Sequence, residues 1–266
     1  MIDSTAPRLF AASGITRRTL NASVDSTDFS RRHSSTWRRV GEALRPAAAF
    51  VLLLLLAGCV DDSPTAVELA PPTGEDLPPD QLARAVAERT DSADFVEPAG
   101  DGLVLQVRDD LLFVKGVVNS GSEGEMIALL NRSPGVRTVV LTMVPGSAAD
   151  ETNVALGRKL RSAGMTTYLP ARGLVASGGT DLLLSGSRRI VEHGARVGVH
   201  SWASDSGSGD EIPRDDPRHL IYLDYYRDMD IPEAFYWFTL EAAPPDGIHW
   251  MTNAEMARYR VHTVLR

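Results

Sequence analysis

The chain carries VRTVVLTMVPGS at residues 136–147 and LVASGGTDLLLSG at residues 174–186, and these two stretches decide its fold. Val136 to Val144 is rich in β-branched residues and reads as a strand. It runs into the turn Pro145-Gly146-Ser147, and a helical pattern follows over residues 149–163. In the second stretch an apolar strand ends in Ala176-Ser177-Gly178-Gly179, and an apolar helix follows over residues 178–185. The same alternation extends outward. Residues 103–107 and 111–118 read as strands joined by an Asp109-Asp110 turn, and residues 123–131 as a helix ended by Ser133-Pro134-Gly135. Residues 166–170, 189–192 and 196–199 read as strands, residues 220–240 as a helix pair, and residues 253–259 as a last short helix. Strands alternating with helices predict an α/β fold, a mainly parallel sheet flanked by helices.

Charge and composition divide the chain of 266 residues into three parts. Residues 1–58 hold eight Arg and four acids, and end in an uninterrupted apolar run from Ala47 to Leu56. Ten apolar residues are too few to span a bilayer, which takes about 20. A basic flank, a short apolar core and small residues form the pattern of a secretory signal peptide. Residues 59–100 carry six of the 16 prolines and many acids, and read as a disordered, solvated tether. Leu82 to Arg89 is a short helical pattern within it. Residues 101–266 are long enough for one sizeable core. The overall charge of −8 conceals a basic leader and a remainder at −12, which argues against nucleic acid as a partner. One cysteine, Cys59, excludes an intramolecular disulfide and a site built on several thiolates. The histidines show no metal-ligand spacing, and neither a phosphate loop nor a dinucleotide fingerprint is present, so no metal or cofactor is expected.

Leu56-Ala57-Gly58-Cys59 resembles a bacterial lipobox. That resemblance implies cleavage before Cys59, acylation of its thiol, and a membrane-anchored protein of the bacterial cell envelope facing the periplasm or exterior. The long polar stretch ahead of the apolar run points to a translation start nearer Val40.

The two small-residue turns lie where open α/β sheets place their ligands, at the carboxyl ends of strands. Small residues there let backbone N–H groups approach a substrate oxygen, next to the positive end of a helix. Ser177 in such a turn is a candidate nucleophile, and His200, at the end of a short strand, is its candidate base. A serine that opens a helix also fits an N-cap, and His200 alone fits a structural histidine. Lys115 and Lys159 are the lysines available for a Ser–Lys arrangement.

The order Pro145-Gly146-Ser147, Ala176-Ser177-Gly178, Val199-His200 and Trp250-Met251-Thr252-Asn253 resembles the Clp protease proteolytic subunit and the wider crotonase-like superfamily, over about Leu103 to Leu265. The resemblance implies that fold, Ser177 as nucleophile, His200 as base, and an oxyanion hole from the N–H groups of Gly178 and Ser147. Ser147 departs from the family's second glycine. The family's third residue, an Asp before the closing helix, has Ile248 at its place; Asp246 is the candidate, with Asp224, Asp228 and Asp230 as alternatives. The implied activity is a serine hydrolase of the peptidase kind acting on a peptide or protein. The aromatics of the C-terminal half fit core packing, an apolar groove or a homo-oligomer contact. A non-catalytic binding or scaffold lipoprotein on the same fold is the alternative, and acyl-CoA chemistry is disfavoured by export.

Overall fold

The computed structural model describes residues 67–73, 75–204 and 207–266; the leader, its apolar run and Cys59 lie outside them. Two strands, β1 (Leu103–Arg108) and β2 (Leu111–Val118), form the antiparallel hairpin that the Asp109-Asp110 turn predicts, with Asp109 at φ 55°. After α2 (Ser122–Arg132), β3 (Thr138–Ser147) pairs with β2 in parallel. Next come α3 (Asp150–Ser162), β4 (Thr166–Leu169), β5 (Leu174–Ala176), α4 (Gly178–Leu184), β6 (Arg188–Val191) and β7 (Arg196–Val199).

The long strand β3 organises this sheet by pairing with two strands on one side. Its first half, Thr138 to Val140, pairs with β4, which leads on to β6. Its second half, Met143 and Val144, pairs with β5, which leads on to β7. All these pairings are parallel, as the alternation of strands and helices predicts. A small hairpin follows, β8 (Ala203–Ser204) with β9 (Gly207–Ser208), and then α5 (Leu220–Asp228) and α6 (Glu233–Ala242). Short strands β10 (His249–Trp250) and β11 (Val264–Leu265) extend the sheet beside β7 and β6, with α7 (Asn253–Arg258) between them.

Residues 67–100 correct the expectation of a disordered tether over residues 59–100. The segment Pro79–Arg89 forms a helix, α1, and its apolar side is Leu82, Ala83 and Val86, all buried. The physical reason lies in the pleat. Leu112 and Val114 of β2, with Val139 and Leu141 of β3, join the larger core cluster, which contains α2 to α6. Leu111, Phe113, Val140, Tyr168 and Ile190 point to the other face, where α1 covers them. A parallel sheet needs both faces covered, and this stretch supplies the second cover. Polar contacts fasten it: Arg188 donates to the Leu77 carbonyl at 2.7 Å, Thr73 N–H to Pro134 at 2.8 Å, and Arg137 to Asp76 at 3.0 Å. No helix among the described residues is long and apolar enough to cross a membrane.

Leu82 is 2 % exposed, so Leu82→Ala is expected to cost about 2–4 kcal/mol in urea unfolding, as for other leucines cut from a core. An unchanged unfolding midpoint would return this segment to the status of a tether.

Candidate active site

Neighbouring parallel strands β3, β5 and β7 end side by side, and each delivers one of the predicted residues. Ser147 is the last residue of β3, Ser177 follows β5, and His200 follows β7. This is the edge at which open α/β sheets bind ligands.

Ser177 sits in a strained backbone, at φ 52° and ψ −128°. Such a conformation costs a non-glycine residue on the order of 1–3 kcal/mol and persists only where the surroundings impose it. Here they do. The Ser177 N–H donates to the Gly198 carbonyl of β7 at 3.1 Å, and the Ser177 carbonyl accepts from Thr180 N–H at 2.8 Å. Thr180 Oγ1 donates to the same Gly198 carbonyl at 2.8 Å. The Ser177 side chain makes no capping hydrogen bond, so the N-cap role does not account for it.

Two glycines let the start of α4 press onto β3. A Cβ on Gly179 would lie 1.9 Å from the Val144 carbonyl oxygen. One on Gly178 would lie 2.3 Å from Ser147 Cβ and 3.0 Å from Ser147 N. The amide nitrogens of Gly178 and Ser147 are therefore neighbours beside Ser177. Gly178 opens α4, and its N–H has no acceptor among the described residues. Across the β2–β3 ladder it is Ala148 N–H that donates to Val118, at 2.7 Å. The Ser147 hydroxyl accepts from Ala149 N–H at 3.0 Å, a local turn that leads into α3. Buried Asn153 of α3 donates to the Gly178 carbonyl at 2.8 Å and closes this contact from below.

Ser177 and His200 line one narrow cleft of about 40 Å³ and are not hydrogen-bonded to each other. Room of this size holds about three water molecules at 10–15 Å³ each. Burial lowers the His200 pKa below the ordinary 6.5, and the Ser201 main chain and the Asp150 carboxylate offset part of that. The imidazole is therefore neutral near pH 7, as a base must be. Its Nδ1 is buried without a hydrogen-bond partner.

Asp246 does not join the cleft. It is exposed in the turn before β10 and makes no hydrogen bond to His200. The alternatives are engaged elsewhere: Asp224 with Arg227 at 2.6 Å, Asp228 with Arg158 at 2.7 Å, and Asp230 with Arg161. Lys115 donates to the Ala93 carbonyl and Lys159 to that of Val67, so neither reaches Ser177. The carboxyls that do line the cleft are Asp150, the first residue of α3, and Asp181, one turn beyond Ser177 on α4. Asp181 is 8 % exposed. Burial pushes its carboxyl up to about 7; the Tyr226 hydroxyl, donating at 2.7 Å, offsets this in part, and the charge of Asp150 adds to it. The lone acid in GGTDLLL was a visible signal for Asp181, whereas Asp150 looks like any acid in the first turn of a helix. Among the described residues no group of three His, Cys, Asp or Glu side chains is placed to hold a metal ion.

No family model matches the chain, and no curated protein does. Among solved structures it is similar in fold to the Clp protease catalytic domain of Plasmodium falciparum, at 15 % identity and TM-score 0.40, over 57 % of this chain and 82 % of that one. It is similar to a membrane-bound stomatin-specific protease at 12 % identity and TM-score 0.37, over 54 % and 67 % of the two chains. It is also similar to a polyketide-biosynthesis enoyl-CoA hydratase from Bacillus subtilis at 11 % identity and TM-score 0.41, over 63 % and 72 %.

A carboxyl raised from 3.8 to about 7 by folding binds its proton more tightly in the native state. Its stabilising contribution is complete below pH 4 and is lost as pH rises through 7, up to about 4 kcal/mol at 1.36 kcal/mol per unit. Asp181→Asn, which can still accept from Tyr226, is expected to flatten this fall in urea unfolding between pH 5 and pH 8. Equal pH slopes in the two proteins would show that Asp181 is ionised throughout.

Proposed function

We propose that the chain is an extracytoplasmic, lipid-anchored serine hydrolase of the peptidase kind. One observation carries this reading: Ser177 is held in a strained, uncapped turn at a strand end and shares its cleft with a neutral, half-buried His200. In the reaction, Ser177 Oγ attacks a carbonyl carbon while its proton passes to Nε2 of His200. The new C–O bond forms as the carbonyl electron pair moves onto oxygen. That oxyanion accepts the N–H groups of Gly178 and Ser147, each worth roughly 3–4 kcal/mol of barrier. The leaving group then departs with the proton held by His200, and water repeats the sequence to release the acid and restore Ser177.

A fluorophosphonate is expected to label the protein on Ser177. Ser177→Ala abolishes the labelling, and His200→Ala slows it on the order of 100-fold or more, the usual share of a general base. A binding lipoprotein on the same fold is the second reading, favoured by the small cleft and the unpartnered Nδ1 of His200. Absence of labelling in correctly folded protein would select it.

Acylation of Cys59 completes the proposal. Val67, the first described residue, is only eight residues beyond Cys59, and eight extended residues reach roughly 26–29 Å. A lipid at Cys59 therefore keeps the folded unit close to the bilayer. Cys59→Ser is expected to move the protein from the membrane to the soluble fraction, and a variant that stays on the membrane contradicts the anchor.

A further inference from the structure

We propose that Asp150, held by Tyr222, is the carboxylate that serves His200 in place of Asp246. The inference rests on the Ser177–His200 reading. When His200 takes the proton of Ser177, a positive charge appears on a ring whose burial already disfavours it. A nearby negative charge must offset that cost. Facing His200 across the cleft are Asp150 from α3, Asp181 from α4, Tyr222 and Tyr226 from α5, and Tyr236 from α6. Neither Lys nor Arg lines the cleft.

Of the two carboxyls, Asp181 is nine-tenths buried and spends one oxygen on Tyr226. With its pKa raised to about 7 it is about half protonated near neutrality, so it offers only part of a negative charge there. Asp150 stands open to water at the mouth, and its charge is felt at both His200 and Asp181. The Tyr222 hydroxyl donates to Asp150 Oδ2 at 2.6 Å and fixes the carboxylate. Tyr222 is itself clamped. Its ring stacks on Trp202 at 5.9 Å and 24°, and on Tyr236 at 5.8 Å and 14°. Trp202 Nε1 donates to the Tyr236 hydroxyl at 2.9 Å, which links the two rings that pack on Tyr222. Trp202 follows His200 by two residues, so the stack anchors the holder of the carboxylate to the segment that carries the base. The aromatics concentrated in the C-terminal half thereby gain a task beyond core packing. Asp150 is a positioning residue in this scheme and touches no reacting atom.

The test follows the His200 ring by NMR in the full-length chain, with its signal assigned through His200→Ala. Removing a negative charge from its surroundings is expected to shift the His200 titration midpoint down in Asp150→Asn, and less far in the same direction in Tyr222→Phe. Asp246→Asn is expected to leave it in place. The acid limb of the hydrolysis rate moves with the midpoint, and kcat falls on the order of tenfold with KM little changed, a part of what a general base contributes. Asn at position 150 keeps the size of the side chain at an exposed helix start, so folding is retained. A His200 midpoint unmoved by Asp150→Asn, or moved as far by Asp246→Asn, overturns the proposal. A midpoint that moves in a protein no phosphonate labels supports the pairing and overturns the hydrolase reading instead.

Discussion

The close approach of α4 to β3 is the contact on which the rest of the site depends. With a methyl group at position 179, a carbon would sit 1.9 Å from the Val144 carbonyl oxygen, and one at 178 would strike Ser147. Glycine at both positions lets the helix start against the strand, and the chain can reach that start from β5 only by turning sharply at Ser177. The strain at φ 52° is the consequence, stabilised by the bonds that Gly198 accepts from Ser177 and Thr180. One packing contact thus sets the direction of a hydroxyl and the placing of two neighbouring amides, beside the end of β7, which His200 follows.

The electrostatics of the cleft follow from its depth. Burial acts in the same sense on His200 and Asp181, against charge: it keeps His200 neutral and holds the Asp181 proton to about pH 7. Asp150 is open to solvent at the first turn of α3. Near pH 7 the cleft therefore holds a neutral imidazole and a carboxyl that is about half protonated. A small cleft that keeps its imidazole neutral suits a base that must accept a proton from a serine, provided a counter-charge lies within reach.

The parallel sheet and its turns were legible because their signals are local. Val136 to Val144 is β-branched, and Pro145-Gly146-Ser147 and Ser177-Gly178-Gly179 mark turns by residue type alone. Helix α1 was visible as the pattern Leu82 to Arg89, but its role was not. Its partners Leu111, Phe113, Val140, Tyr168 and Ile190 are spread over some eighty residues and meet only when the sheet forms. The prolines that made residues 59–100 look disordered include Pro78 and Pro79, which lead into α1, where a missing N–H costs nothing. Of the site, Ser177 and His200 fell into one cleft as their strand ends imply. Asp246 did not, because its choice rested on order along the chain while the cleft is closed by α3 and α4. Asp150 and Asp181 were hidden by the same fact: what matters about a carboxyl is which wall it faces.

We propose that Ser177 is a nucleophile activated by a neutral His200. The rate of phosphonate labelling at Ser177 as a function of pH tests it most directly. A single rise with its midpoint below 6.5, set by the half-buried imidazole, is expected, and it disappears in His200→Ala. A rate that is flat across this range, or a rise that persists without His200, would contradict it.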